Sequence, residues 1–116
     1  MQPKLLLHLE GGTVLAVSLI LYGYAGGSWL IFALLILAPD LSALGYLAGN
    51  KVGASTYNLF HNYLLPAMLA LYGFFGANPL ALQIALIWFA HIGADRLLGY
   101  GLKYPSAFKD THLNRV

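Results

Sequence analysis

The chain has 116 residues, 59% of them apolar and 9% charged, with a formal net charge of +2 and no cysteine. A soluble domain carries about 25% charged residues, and so short a chain buries little of its surface, so these few charges suit lipid better than water. The missing thiols exclude disulfides, thiolate metal sites and cysteine nucleophiles. The small net charge, without a basic stripe or RNA-binding motif, argues against nucleic acid.

Four apolar segments follow in chain order, each close to the roughly 20 residues that cross a bilayer. The first runs from Leu5 to Tyr22. It carries Glu10 and no small-residue cleavage site follows it, so it reads as a retained span rather than a signal peptide. The second runs from Trp29 to Leu47, the third from Val52 to Phe74 and the fourth from Leu80 to Leu98. The breaks Gly26-Gly27-Ser28, Gly49-Asn50-Lys51 and Gly76-Ala77-Asn78-Pro79 carry turn chemistry, and short connections make neighbouring helices antiparallel. Gly45, Gly49 and Gly53 recur at the spacing that suits close helix contact. Tyr22, Tyr24, Trp29, Tyr72 and Phe74 read as an outer aromatic belt. The expected fold is all-α: an integral membrane four-helix transmembrane bundle, one domain over residues 1–116 with a short cytoplasmic tail over 101–116.

Orientation follows from positive charge. Lys4, Lys51, Arg96, Lys103, Lys109 and Arg115 all fall at one end of the expected bundle. Both termini are therefore expected in the cytoplasm.

Ionisable groups inside a span are expensive and mark functional sites by default. Counted from the cytoplasmic helix ends, Glu10, Asp40, His61 and His91 each lie about seven to nine residues in, or roughly 10–14 Å at about 1.5 Å per residue. Four helices thus each bring one carboxylate or imidazole to one depth. Asp95 follows His91 by one helical turn on the same face. Such a set resembles the His/carboxylate sites of helix bundles and suits Zn²⁺, Mn²⁺ or Fe²⁺. Asp40, His61 and His91 are the expected metal ligands, with Glu10 and Asp95 as catalytic carboxylates. Asn58, Asn62, Arg96 and His112 are the expected substrate-binding residues, although Arg96 also reads as a snorkelling residue at the interface. Pro39 and Pro66 each remove a helical hydrogen bond and free a carbonyl for a ligand or water. The polar tail, with Asp110 and His112, is expected either to lie solvated or to fold over the cytoplasmic mouth.

The run from Ala90 to Pro105, with His91, Asp95 and Arg96, continues into Phe108-Lys109-Asp110-Thr111-His112-Leu113. Together with Ala38-Pro39-Asp40-Leu41-Ser42, Gly45-Tyr46, Tyr57-Asn58 and His61, it resembles a family of small bacterial integral membrane proteins catalogued only as a domain of unknown function. The resemblance covers essentially the whole chain. It implies a multi-pass protein of the bacterial inner membrane and brings no activity with it. In size and His/Asp content alone the chain is also similar to predicted membrane-bound metal-dependent hydrolases.

Three functions fit these residues. The first is a metal-dependent hydrolase acting on a lipid or another amphiphile, in which the bound ion activates water and a remaining carboxylate acts as base. The second is a proton-coupled exporter working as a homo-oligomer, most simply a dimer. The nearly unbroken apolar outer halves weigh against it, because transport needs access from both sides. The third is a structural protein whose polar layer only fixes helix register. No His-Glu-x-x-His or Gly-x-Ser-x-Gly motif is present.

Overall fold

The computed structural model describes residues 2–105 and 107–115; Met1, Ser106 and Val116, which belong to the expected domain and tail, lie outside the described residues. Helix α1 spans Pro3–Tyr24, α2 Trp29–Leu35, and a 3-10 helix Ala38–Ala48. Helices α3 (Asn50–Phe60), α4 (Leu64–Phe75), α5 (Pro79–Leu98) and the short α6 (His112–Arg115) follow. Among the described residues the chain is all-α, with a single isolated antiparallel bridge between Lys103 and Thr111.

Three helical stretches are long and apolar enough to cross a membrane: Pro3–Tyr24, Trp29–Ala48 and Pro79–Leu98. The expected third span is instead divided into α3 and α4, with a break at residues 61–63. Both interruptions have the same cause. Proline lacks an N–H and crowds the carbonyl four residues before it. Helix α2 stops at Leu35, four before Pro39, and the gap between α3 and α4 includes Asn62, four before Pro66. Beyond Pro39 the chain winds in 3-10 form, starting with the Asp40 N–H donating to the Leu37 carbonyl at 3.0 Å.

Helix α5 has ordinary ends. Asn78 caps α5 by accepting from the Ala81 N–H at 3.2 Å, and Pro79 sits in its first turn. Gly99 closes α5 at φ +98°, a left-handed conformation that glycine adopts without strain.

Helices α1 and α4 both pack on α5, and the 3-10 helix packs on α3. At the α1–α5 crossing a Cβ on Gly93 would lie 2.7 Å from the Gly11 carbonyl and from the Leu15 nitrogen, so the two backbones touch. Gly45 meets Thr56, and Gly53 meets the Tyr46 ring, where the 3-10 helix lies on α3. Gly45 and Gly53 therefore serve close contact within the chain, whereas Gly49 has open space around it and sits at φ +114° in the turn. Tyr22 departs from the expected belt. It is fully buried against Leu86 and Ile87, with its ring 5.0 Å from that of Trp29. Its hydroxyl donates to the Ser28 carbonyl at 2.5 Å, which satisfies the one polar atom that burial would otherwise strand. Tyr24, Trp29, Tyr72 and Phe74 remain exposed.

Candidate metal centre

The two helix breaks and α5 meet at one point. Asp40 lies in the first turn of the 3-10 helix, His61 directly follows α3, and His91 and Asp95 stand one turn apart on α5. One ligand atom from each of these four residues lies within 4.8 Å of all the others. His61 Nε2 is 3.0 Å from Asp40 Oδ1, 3.1 Å from His91 Nε2 and 3.6 Å from Asp95 Oδ2. His91 Nε2 is 3.1 Å from both Asp40 Oδ1 and Asp95 Oδ2. Both imidazoles are buried, Asp95 is mostly so, and the Asp40 side chain is 48% exposed.

The breaks also set which imidazole nitrogen carries the proton. The His61 N–H bonds to the Asn58 carbonyl, so the Tyr57 carbonyl is left free to accept from His61 Nδ1 at 2.8 Å. Because the Asp40 N–H turns to Leu37, the Ile36 carbonyl is likewise free, and it accepts from His91 Nδ1 at 2.5 Å. A carbonyl can only accept, so each Nδ1 is the donor and each neutral imidazole points an Nε2 lone pair into the cluster. The Tyr57 ring stacks on His61 at 3.7 Å between centroids and fixes its plane.

Four acceptors thus converge: two imine nitrogens and two carboxylate oxygens. Asp95 Oδ2 is buried and has no hydrogen-bond donor among the described residues. Two imidazolium ions cannot share a 3.1 Å Nε2–Nε2 approach without strong repulsion. A cation held among the four residues would resolve the arrangement. Donors about 2.0–2.1 Å from a tetrahedral Zn²⁺ lie about 3.3–3.4 Å from one another, a spacing that falls within the range of separations just given. The donor set, two imidazoles and two carboxylates, also suits Mn²⁺ and Fe²⁺. Further ligands would enter beside the exposed carboxylate of Asp40.

The expected metal ligands Asp40, His61 and His91 come together here, and Asp95 joins them. Glu10 does not belong to this group: it lies exposed on α1, next to Gly11, the buried residue that faces α5. Successive helical residues point about 100° apart, so equal depth did not bring Glu10 to the same side. The four expected substrate-binding residues bond to the protein's own backbone. Asn58 donates to the Lys103 carbonyl at 2.7 Å and accepts from the Lys103 N–H at 2.6 Å. Asn62 donates to the Asn58 carbonyl and accepts from the Leu64 N–H at 2.8 Å, bridging the α3–α4 gap. Arg96 is buried rather than snorkelling, and donates to the His61 carbonyl at 2.7 Å and the Tyr100 carbonyl at 3.1 Å. His112 Nδ1 accepts from the Leu102 N–H at 2.7 Å.

Sequence reasoning missed Lys103. It is buried, its Nζ lies 4.5 Å from the centroid of Tyr57, and it donates to the Phe108 carbonyl at 2.8 Å. Burial pushes its ammonium below the usual lysine range, against the pull of Asp95 and Asp40. An apolar cavity of about 210 Å³ opens beside the cluster, between Pro39, Phe60, Ile87 and Trp88.

The family model described as "Domain of unknown function (DUF4260)" matches residues 4–116. No curated protein and no solved structure matches the chain.

Proposed function

We propose, for a chain that belongs to this family of unknown function, a four-span protein of the bacterial inner membrane with both termini in the cytoplasm, holding a divalent metal ion between Asp40, His61, His91 and Asp95. The membrane reading is supported by the three long apolar helices and the scarcity of charge. In that reading α3 and α4 together form the interrupted third crossing, since non-helical backbone is tolerated at membrane depth where protein buries it.

The metal reading rests on one observation: four acceptor atoms point at one another with no donor proton among the neutral imidazoles. An ion at that point would satisfy all four, and its arrival would release whatever protons the cluster otherwise retains.

The activity we assign is hydrolysis of a lipid or another amphiphile. A bound divalent ion supplies Lewis acidity and lowers the pKa of a water molecule. The chain's own contributions are separate. Asp40, half exposed, marks the side from which water and substrate reach the cluster. Its free oxygen is the carboxylate available to take a proton, the role expected of Glu10. The apolar cavity beside Pro39 and Phe60 accommodates a hydrocarbon portion of the substrate.

Elemental analysis of detergent-purified protein supplied with Zn²⁺, Mn²⁺ and Fe²⁺ tests this. Stoichiometric metal is expected in the native protein and in His8→Ala, and is expected to vanish in His61→Ala and His91→Ala. Metal-free native protein would defeat the reading and turn the cluster into a proton carrier of the exporter type.

A further inference from the structure

A second cavity, of about 490 Å³, lies apart from the histidine–aspartate cluster, where the amino end of α1, the carboxyl end of α5 and the tail meet. Its lining includes Lys4, His8, Lys103, Lys109, Thr111 and Asn114. The chain has four Asp and Glu side chains, and none of them lines it. Asp40 and Asp95 are in the cluster, Asp110 pairs with Arg115, and Glu10 lies on α1. Three lysines are therefore gathered around one concavity whose lining holds no Asp or Glu side chain, and the carboxylates that act on Lys103, Asp95 and Asp40, belong to the cluster.

Lys103 is the informative one. Its side chain is 6% exposed, yet an ammonium has three N–H donors and only one finds an oxygen among the described residues, the Phe108 carbonyl. The rest of its charge faces the rings of Phe108, 3.7 Å from the centroid, and Tyr57. A buried ammonium with donors to spare favours an anion beside it. Thr111 Oγ accepts from the Asn114 N–H, which leaves the hydroxyl proton for an acceptor in the cavity. The volume is within the usual range for small-molecule sites, about 300–1,000 Å³. Basic pockets between helices on the cytoplasmic side of a membrane recognise phospholipid headgroups.

We propose that this cavity, built by Lys4, Lys103 and Lys109, binds the phosphate group of an anionic ligand, either a phospholipid headgroup or a soluble phosphate ester. The site needs no metal and stands whether or not the cluster holds one. Lys103 provides the fixed inner charge, and Lys4 from α1 and Lys109 from the tail add theirs at the lining.

The test uses the full chain in phosphatidylcholine nanodiscs with and without phosphatidylglycerol, with retained lipid read by native mass spectrometry. Selective retention of phosphatidylglycerol is expected. Lys4→Gln and Lys109→Gln should each weaken it about fivefold, the effect of about one membrane-proximal lysine, and Lys51→Gln, outside the cavity, should leave it unchanged. Glycerol phosphate titrated into phosphatidylcholine-only nanodiscs separates the sources. Saturable binding lost in the same two variants assigns the site to a soluble ester, and its absence beside retained phosphatidylglycerol assigns it to the lipid. Equal loss in Lys51→Gln would reduce the effect to general surface attraction and overturn the proposal. So would the absence of binding by both ligands.

Discussion

Helices α1 and α5 run unbroken for 22 and 20 residues, whereas the two stretches between them are each cut in the middle. The unbroken pair brings its backbones into contact at Gly11 and Gly93. The interrupted pair carries Asp40 and His61, and its breaks release the Ile36 and Tyr57 carbonyls that orient both imidazoles. Continuous helix supplies spacing, as in the one-turn step from His91 to Asp95. Interrupted helix supplies acceptors, because a carbonyl inside a regular helix is already engaged with the N–H four residues on. The cluster needs both kinds of segment.

Restoring one interruption should damage the cluster most. In Pro39→Ala the new N–H can bond to Leu35, α2 can continue, and the Asp40 N–H can return to the Ile36 carbonyl. His91 Nδ1 then loses its partner. Losing a group that orients a metal-bound histidine typically costs 10–100-fold in affinity, and a fall of about that size is expected in competition with a chelating dye. An affinity within twofold of native would show that the breaks do not aim the ligands.

Changing the continuous pair should act on stability instead. A Cβ on Gly93 meets only backbone, the Gly11 carbonyl and the Leu15 amide, and neither can rotate aside. Gly93→Ala should therefore cost about 1–3 kcal/mol, the usual range for overpacking, read as earlier thermal unfolding in detergent. Metal affinity of the folded fraction should move less than in Pro39→Ala. The reverse order would mean that the crossing, rather than the breaks, positions the cluster.

What was legible in the sequence divides along the same line. Depth can be counted, so Asp40, His61 and His91 were placed at one level, and helical spacing tied Asp95 to His91. The direction in which a side chain points around its helix depends on which neighbour it packs against. That is why Glu10 was grouped with residues it does not join. Pro39 and Pro66 announced freed carbonyls, but not that histidine would use one. Asn58, Asn62 and Arg96 look free to bind substrate in the sequence because their partners are backbone atoms, one of them 45 residues away, that no side-chain pattern reveals. The division of the third segment had a signal in Pro66, which crowds the carbonyl of Asn62.

The smallest effect expected concerns the tail, which has neither kind of long helix to hold it. It is attached by Asn58 gripping the Lys103 backbone, and it is folded on itself by a reciprocal pair between His112 and Leu102. In that pair the His112 N–H donates to the Leu102 carbonyl at 2.8 Å, while His112 Nδ1 accepts from the Leu102 N–H. Burial holds the His112 imidazole below its usual range, and the Arg96 guanidinium acts in the same direction. The docked tail therefore binds fewer protons than the released tail in the window just below the ordinary histidine value of about 6.5. This pairing is at full strength above that value and is lost as pH falls through the lowered one, because protonation consumes the lone pair that holds the Leu102 N–H. Hydrogen exchange at Leu102, corrected for its intrinsic pH dependence, should quicken about twofold to tenfold on acidification, the effect of one ordinary hydrogen bond. His112→Ala should exchange quickly at every pH and show no such step. Asn58→Ala should loosen the tail and keep the step, since its grip on Lys103 involves no titrating group. If the step survived in His112→Ala, the pH response would belong to another group and His112 would be a spectator of tail docking.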